Sequence, residues 1–103
     1  MFGNLGNLGQ MKGQMEAIKE KLDGMMVEGN SGNGRIVVKM NGNSQVKDIS
    51  IDDNLLSSEH KEELQDLLVM AFEQASARAM ELNQKEMKEA ANSMFPGLGG
   101  MMG

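Results

Sequence analysis

SSEHKEELQDLLVMAFEQASARAMELNQKEMKEAANSMF, residues 57–95, runs without proline or glycine, and its reading decides the fold. Ser57 or Ser58 supplies a helix cap, and Glu59, Glu62 and Glu63 follow where the positive end of a helix favours carboxylates. The helix then continues to just before Phe95-Pro96-Gly97, roughly 35 residues or about 50 Å at 1.5 Å per residue. Its apolar stripe reads Leu64, Leu68, Ala71, Ala75, Ala79 and Leu82, in which three alanines at four-residue spacing make a smooth ridge for close contact. Met80, Met87 and Met94 carry an apolar line along the distal half. Such a helix outgrows a small subunit, so the remainder of its ridge is expected either against a second copy in a two-fold dimer or projecting as an arm. The alternative is a break near Asn83-Gln84, after which the chain folds back on itself; helical continuity separates the two.

Upstream of this helix the pattern changes from period 3.6 to period 2. Ile36, Val38 and Met40 share one face of a strand and Arg35, Val37 and Lys39 the other. Asn41-Gly42 suits a tight hairpin, and Ser44 to Ile51 returns as a second strand. Val46 and Ile49 have opposite parity, so a bulge is expected near Lys47-Asp48. Met26-Val27-Glu28, before the turn formers Gly29 to Gly34, supplies a short first strand and completes a three-stranded antiparallel meander. Further upstream, Leu8, Met11, Met15, Ile18, Leu22 and Met25 step by three and four, which predicts a helix over about residues 10–25, with Gly13 and Gly24 weakening its ends. The expectation is a single α+β domain over residues 10–95, with mobile ends at 1–9 and 96–103, the first Gly- and Asn-rich and the second Gly- and Met-rich.

Composition narrows the function. The formal charge is -5, from 10 Lys plus Arg against 15 Asp plus Glu, the wrong sign for histone-like coating of a polyanion. Six acidic residues, Asp52, Asp53, Glu59, Glu62, Glu63 and Asp66, face only Lys61 between positions 52 and 66, so that segment holds the whole excess and the rest of the chain is balanced. With no cysteine, disulfides, thiol nucleophiles and cysteine metal sites are excluded, and a reducing compartment, the cytoplasm, is the expectation. Three Phe are the only aromatic residues, too few for a base-stacking platform. His60 is the single histidine, in an acidic helix start without a nucleophile, so no enzyme is expected. Asp52-Asp53-Asn54 lacks the spacing of a calcium loop, and packing explains Met25-Met26 better than a copper(I) site, so no metal or cofactor is assigned. Neither a membrane span nor a small-molecule substrate is indicated.

Three patterns in order resemble the YbaB/EbfC family of bacterial nucleoid-associated proteins. Gly32-Asn33-Gly34-Arg35-Ile36-Val37-Val38-Lys39-Met40-Asn41-Gly42 is similar to its glycine turn, alternating strand and Asn-Gly hairpin. Ile51-Asp52-Asp53-Asn54-Leu55-Leu56 resembles its Ile-Asp-Pro-x-Leu-Leu linker, and Leu64 to Ala75 its Leu-Glu-Asp-Leu-Val-x-Ala-Ala-x-Asn-x-Ala helix. Asp53 replaces the usual Pro, Gln65 the Glu, Met70 an Ala and Glu73 the Asn. The resemblance implies an intertwined two-fold homodimer whose helices project like tweezers and grip double-stranded DNA with little sequence preference. It also implies residence in the nucleoid, a role in nucleoid organisation, gene regulation or recombination and repair, and recombination-mediator proteins as further partners.

Phosphate contacts are expected from Lys12, Lys19 and Lys21 on the first helix and Arg78, Lys85 and Lys88 on the long one. The competing explanation is solvated lysines paired with Glu16, Glu20, Glu81 and Glu89. Leu64, Leu68, Ala71, Phe72, Ala75, Ala79 and Leu82 are the expected dimer contacts. The rival function is a protein-interaction dimer or adaptor that never touches DNA, whose association would be insensitive to salt. A membrane-surface helix is disfavoured by the equal acidic and basic content of the amphipathic segments.

Overall fold

A computed structural model describes residues 2–94 of the chain; the expected C-terminal tail at 96–103 lies outside them. Helix α1 (Phe2–Asp23) leads into strands β1 (Met26–Ser31), β2 (Ile36–Asn41) and β3 (Val46–Ile51), and helix α2 (Lys61–Met94) closes the order. The strands form an antiparallel sheet in the order β1-β2-β3, the expected meander. α2 is unbroken through Asn83-Gln84, which rules out the folded-back alternative. At 34 residues it is about 51 Å long, much of the 65 Å long axis.

α2 lies across β1 and β2. Ile36, Val38 and Met40 of β2 are buried against Ala71, Ala75 and Ala79, with Leu55 completing the core. Gly29 explains why the alanine ridge faces this way. A Cβ there would collide with the Ala71 carbonyl oxygen and lie 2.5 Å from the Ala75 amide nitrogen, so only a glycine opposite alanines lets strand and helix backbones come this close. The approach also recruits residues expected to turn. Asn30 N–H donates to Gln74 Oε1 at 2.7 Å, and the Ser31 hydroxyl donates to the Leu67 carbonyl at 2.6 Å. β1 therefore runs to Ser31 rather than stopping at Glu28, and the turn is compressed into Gly32, Asn33 and Gly34, all at positive φ.

The second hairpin departs from expectation in mechanism. Ser44, not Asn41 or Gly42, takes the positive φ. Gly42 instead receives α1: its N–H donates to the Leu22 and Met25 carbonyls, both at 2.9 Å, and a Cβ would meet Leu22 Cδ2 at 2.6 Å. Buried Asn41 holds the loop, its Oδ1 accepting from the Asn43 and Gln45 amides at 3.0 Å each. The expected bulge is present: Lys39 pairs with Asp48 but Met40 with Val46, leaving Lys47 as the extra residue. It returns Val46 to the face shared by Ile49 and Ile51.

Two helix boundaries move. α1 begins at Phe2 rather than near residue 10, because Leu5, Leu8, Met11 and Met15 keep helical spacing and the glycines between them weaken the helix without ending it. α2 begins at Lys61, preceded by a 3-10 turn at Ser58–His60; Ser57 is extended and its hydroxyl caps nothing. In the linker, the Asp52 carboxylate accepts from the Asn54 amide at 2.9 Å. This local bond shapes the 3-10 turn Asp53–Leu55 that drops Leu55 into the core without the proline of the resembling family.

Candidate nucleic-acid and subunit interfaces

The alanine ridge cannot meet a second copy. Ala71, Ala75 and Ala79 are fully buried within their own subunit, Leu64 and Leu68 pack around that core, and Leu82 is half-buried. Of the expected dimer contacts, Phe72 alone stands exposed, at 48 %. It belongs to a different line, Val69, Phe72, Ser76 and Met80, displaced about 100° around α2 from the alanines. Val69 is 55 % exposed. Beside it β3 turns out Val46 and Ile49, which α2 does not cover because it lies over the other two strands. Val69, Phe72, Ile49, Leu68 and Val38 line an open groove of about 450 Å³. Sequence periodicity singled out the small residues as the contact face. The large apolar residues beside them, with the apolar residues of β3 on the same side, are the signal that would have located this surface.

The six expected phosphate contacts fall into four groups. Lys12 and Lys19 lie on the rim of a groove between α1 and α2. Arg78 and Lys85 line a shallow depression with Val27 on the opposite flank of α2, where Arg78 Nη1 donates to the Glu28 carbonyl at 2.6 Å. Lys88 is exposed and lines neither. Lys21 is bound to Glu86 across the α1–α2 contact, Nζ to Oε2 2.8 Å, with the Glu86 carboxylate almost wholly enclosed. Hydrogen bonding to Glu86, reinforced by its charge, raises the Lys21 pKa above the ordinary lysine value. The pair fastens two helices, which removes Lys21 from the expected phosphate contacts.

Lys21→Met leaves the enclosed Glu86 carboxylate without its cation and lowers Tm, and adding Glu86→Met recovers part of the loss. Because the folded pKa is raised, this contribution is complete below the ordinary value of 10.5 and fades as pH climbs through the higher folded value. Thermal melts at pH 7 and 9 should therefore show the same Lys21→Met deficit.

Among the described residues, Lys12, Lys19, Lys85 and Lys88 form no salt bridge. Of the surface pairing expected with Glu16, Glu20, Glu81 and Glu89, none is present there. The acidic excess lies elsewhere. Asp66 and Lys85 are about 28 Å apart along α2. A Debye length near 8 Å screens one from the other, so the distal helices present local cations despite the negative total.

Residues 1–94 match the model of the YbaB/EbfC DNA-binding family. The chain belongs to that family. It is 36 % identical over 99 residues to a nucleoid-associated protein of Afipia carboxidovorans, covering 95 % of this chain and 94 % of that one. With a nucleoid-associated protein of Flavobacterium johnsoniae it shares 33 % identity over 101 residues, 98 % of this chain and 93 % of the other. The crystal structure of an uncharacterized Helicobacter pylori protein superposes with a TM-score of 0.73 at 30 % identity, covering 91 % of this chain and 96 % of that one. The Helicobacter pylori protein thus shares this helix–meander–helix order. No helix among the described residues is long and apolar enough to cross a membrane.

Proposed function

We propose that the chain binds double-stranded DNA as a two-fold homodimer in the bacterial nucleoid, touching phosphates rather than reading bases. The observation that carries this is the separation of charge: Lys12, Lys19, Lys85 and Lys88 lie on the distal helices without ion pairs among the described residues, and the acidic excess sits at the far end of α2. Family membership supports DNA as the polyanion. Lysines contact phosphates as flexible point charges, and three Phe in the whole chain leave little for base stacking, so sequence preference is low. Balanced charge on the same helices keeps affinity weak, about 10⁻⁴ to 10⁻⁶ M at physiological salt. The dimer joins through Val46, Ile49, Val69 and Phe72, doubles the set of cations and leaves the distal helices projecting. Service to nucleoid organisation, gene regulation or recombination, with recombination-mediator partners, is consistent with such a binder.

Mobility shift of duplex DNA across a salt series tests this reading. Log affinity should fall linearly with log salt, and each phosphate contact removed by Lys85→Glu or Lys88→Glu should flatten the slope by about 0.9, alike for unrelated sequences. Absence of any shift at low salt would favour the adaptor reading.

A further inference from the structure

Among the described residues, the hydrogen bonds and ion pairs that join α1 to other elements all fall at its C-terminal end, on Lys19, Lys21, Leu22 and Asp23. Lys12 stands roughly 16 Å out along the axis from Asp23, at 1.5 Å per residue, so a tilt of roughly 10° at the held end moves it by about 3 Å. Whatever fixes that end aims the cations of α1.

The loop between β2 and β3 supplies most of the hold. A helix C-terminus leaves carbonyl oxygens without partners inside the helix, and the Gly42 N–H reaches that of Leu22 at 2.9 Å. Asn43 adds direction. Its side-chain amide has two N–H donors and uses both on α1, one on the Lys19 carbonyl at 2.9 Å and one on Asp23 Oδ1 at 2.6 Å. Two bonds a helical turn apart fix orientation, which a single bond does not. Lys19 is itself one of the cations without a salt bridge among the described residues, so Asn43 holds the backbone of a phosphate-contact residue. Asn43 is in turn fixed by its N–H, which donates at 3.0 Å to Oδ1 of the fully buried Asn41. The Lys21–Glu86 pair adds a tie through a flexible side chain, which limits distance more than direction.

We propose that Asn43 is a positioning residue for DNA contact, acting through α1 rather than on phosphate itself: it aims Lys12 and Lys19 and leaves Lys85 and Lys88 on α2 untouched. This rests on the DNA-binding reading above. With α1 already aimed, less ordering is needed when DNA arrives, so loss of the amide weakens binding.

The chain has no cysteine, so Gln14→Cys and Gln84→Cys, both exposed and outside the groove between the helices, take a pair of spin labels that no other residue competes for. Diluted with excess unlabelled chain, the pair should give one narrow distance distribution without DNA, and Asn43→Ala should broaden or shift it. An unchanged distribution overturns the proposal. Lysine acetylation with and without duplex DNA at low salt then reads the consequence. In Asn43→Ala, protection of Lys12 and Lys19 should fall several-fold while that of Lys85 and Lys88 persists, a split that general loss of stability would not produce. Equal loss at all four lysines, or full protection retained at Lys12 and Lys19, overturns the positioning role. No protection in the unaltered chain would remove the DNA reading itself, and this role with it, whereas the label distance still reports whether Asn43 holds α1.

Discussion

Gly29→Ala should cost the subunit about 3 kcal/mol, the upper range for overpacking a fitted contact. The added methyl has nowhere to go. It would strike the Ala71 carbonyl oxygen and stand 2.5 Å from the Ala75 nitrogen and 3.0 Å from the Ala75 Cβ, and two of these are helix backbone atoms that cannot rotate aside. Relief requires α2 to lift from β1, which opens the core of Ile36, Val38 and Met40 and stretches the Asn30–Gln74 and Ser31–Leu67 hydrogen bonds. Gly13→Ala is the contrasting substitution. It sits within α1 with nothing within 4 Å of the new methyl, so it should stabilise by about 0.5–1 kcal/mol through helix propensity alone. Urea denaturation of the two variants, at unchanged m, measures both; a neutral Gly29→Ala would mean that strand and helix do not meet as described.

Phe72→Asp should convert the proposed dimer to monomers. Phe72 and Val69 with Val46 and Ile49 form an exposed apolar surface that the core does not use, so the substitution leaves the subunit folded. In a two-fold contact each copy presents the same patch, and the change is made twice. Losing burial of a Phe at about 2 kcal/mol per copy weakens association by about 4 kcal/mol, a factor of ~10³ in Kd. Sedimentation velocity at micromolar concentration should give two-copy mass for the unaltered chain and one-copy mass for the variant. Monomers from the unaltered chain would remove the dimer from the account.

The meander, its bulge and the continuity of α2 were legible because each follows from local spacing: parity in β2 and β3, and a long run free of Gly and Pro. What covers the alanine ridge was not. Periodicity identifies a face and its smoothness, but a row of alanines fits a partner helix and a glycine-bearing strand equally well. Gly29 decided for the strand, in a segment whose composition otherwise reads as a turn. The same ambiguity attended Gly42, which serves contact with Leu22 rather than a positive φ. Among the candidate cations, helical phase placed Lys21 near the other lysines, whereas its enclosed partner Glu86, far away in sequence, could be found only from the tertiary packing of α1 on α2.

Lysine acetylation with and without duplex DNA at low salt tests most directly whether the distal helices meet the phosphates. DNA should protect Lys12, Lys19, Lys85 and Lys88 and leave Lys47 on β3 and Lys61 beside the acidic segment as reactive as before. Protection centred on Lys47 and Lys61, or uniform reactivity in a sample where the DNA is bound, would contradict it.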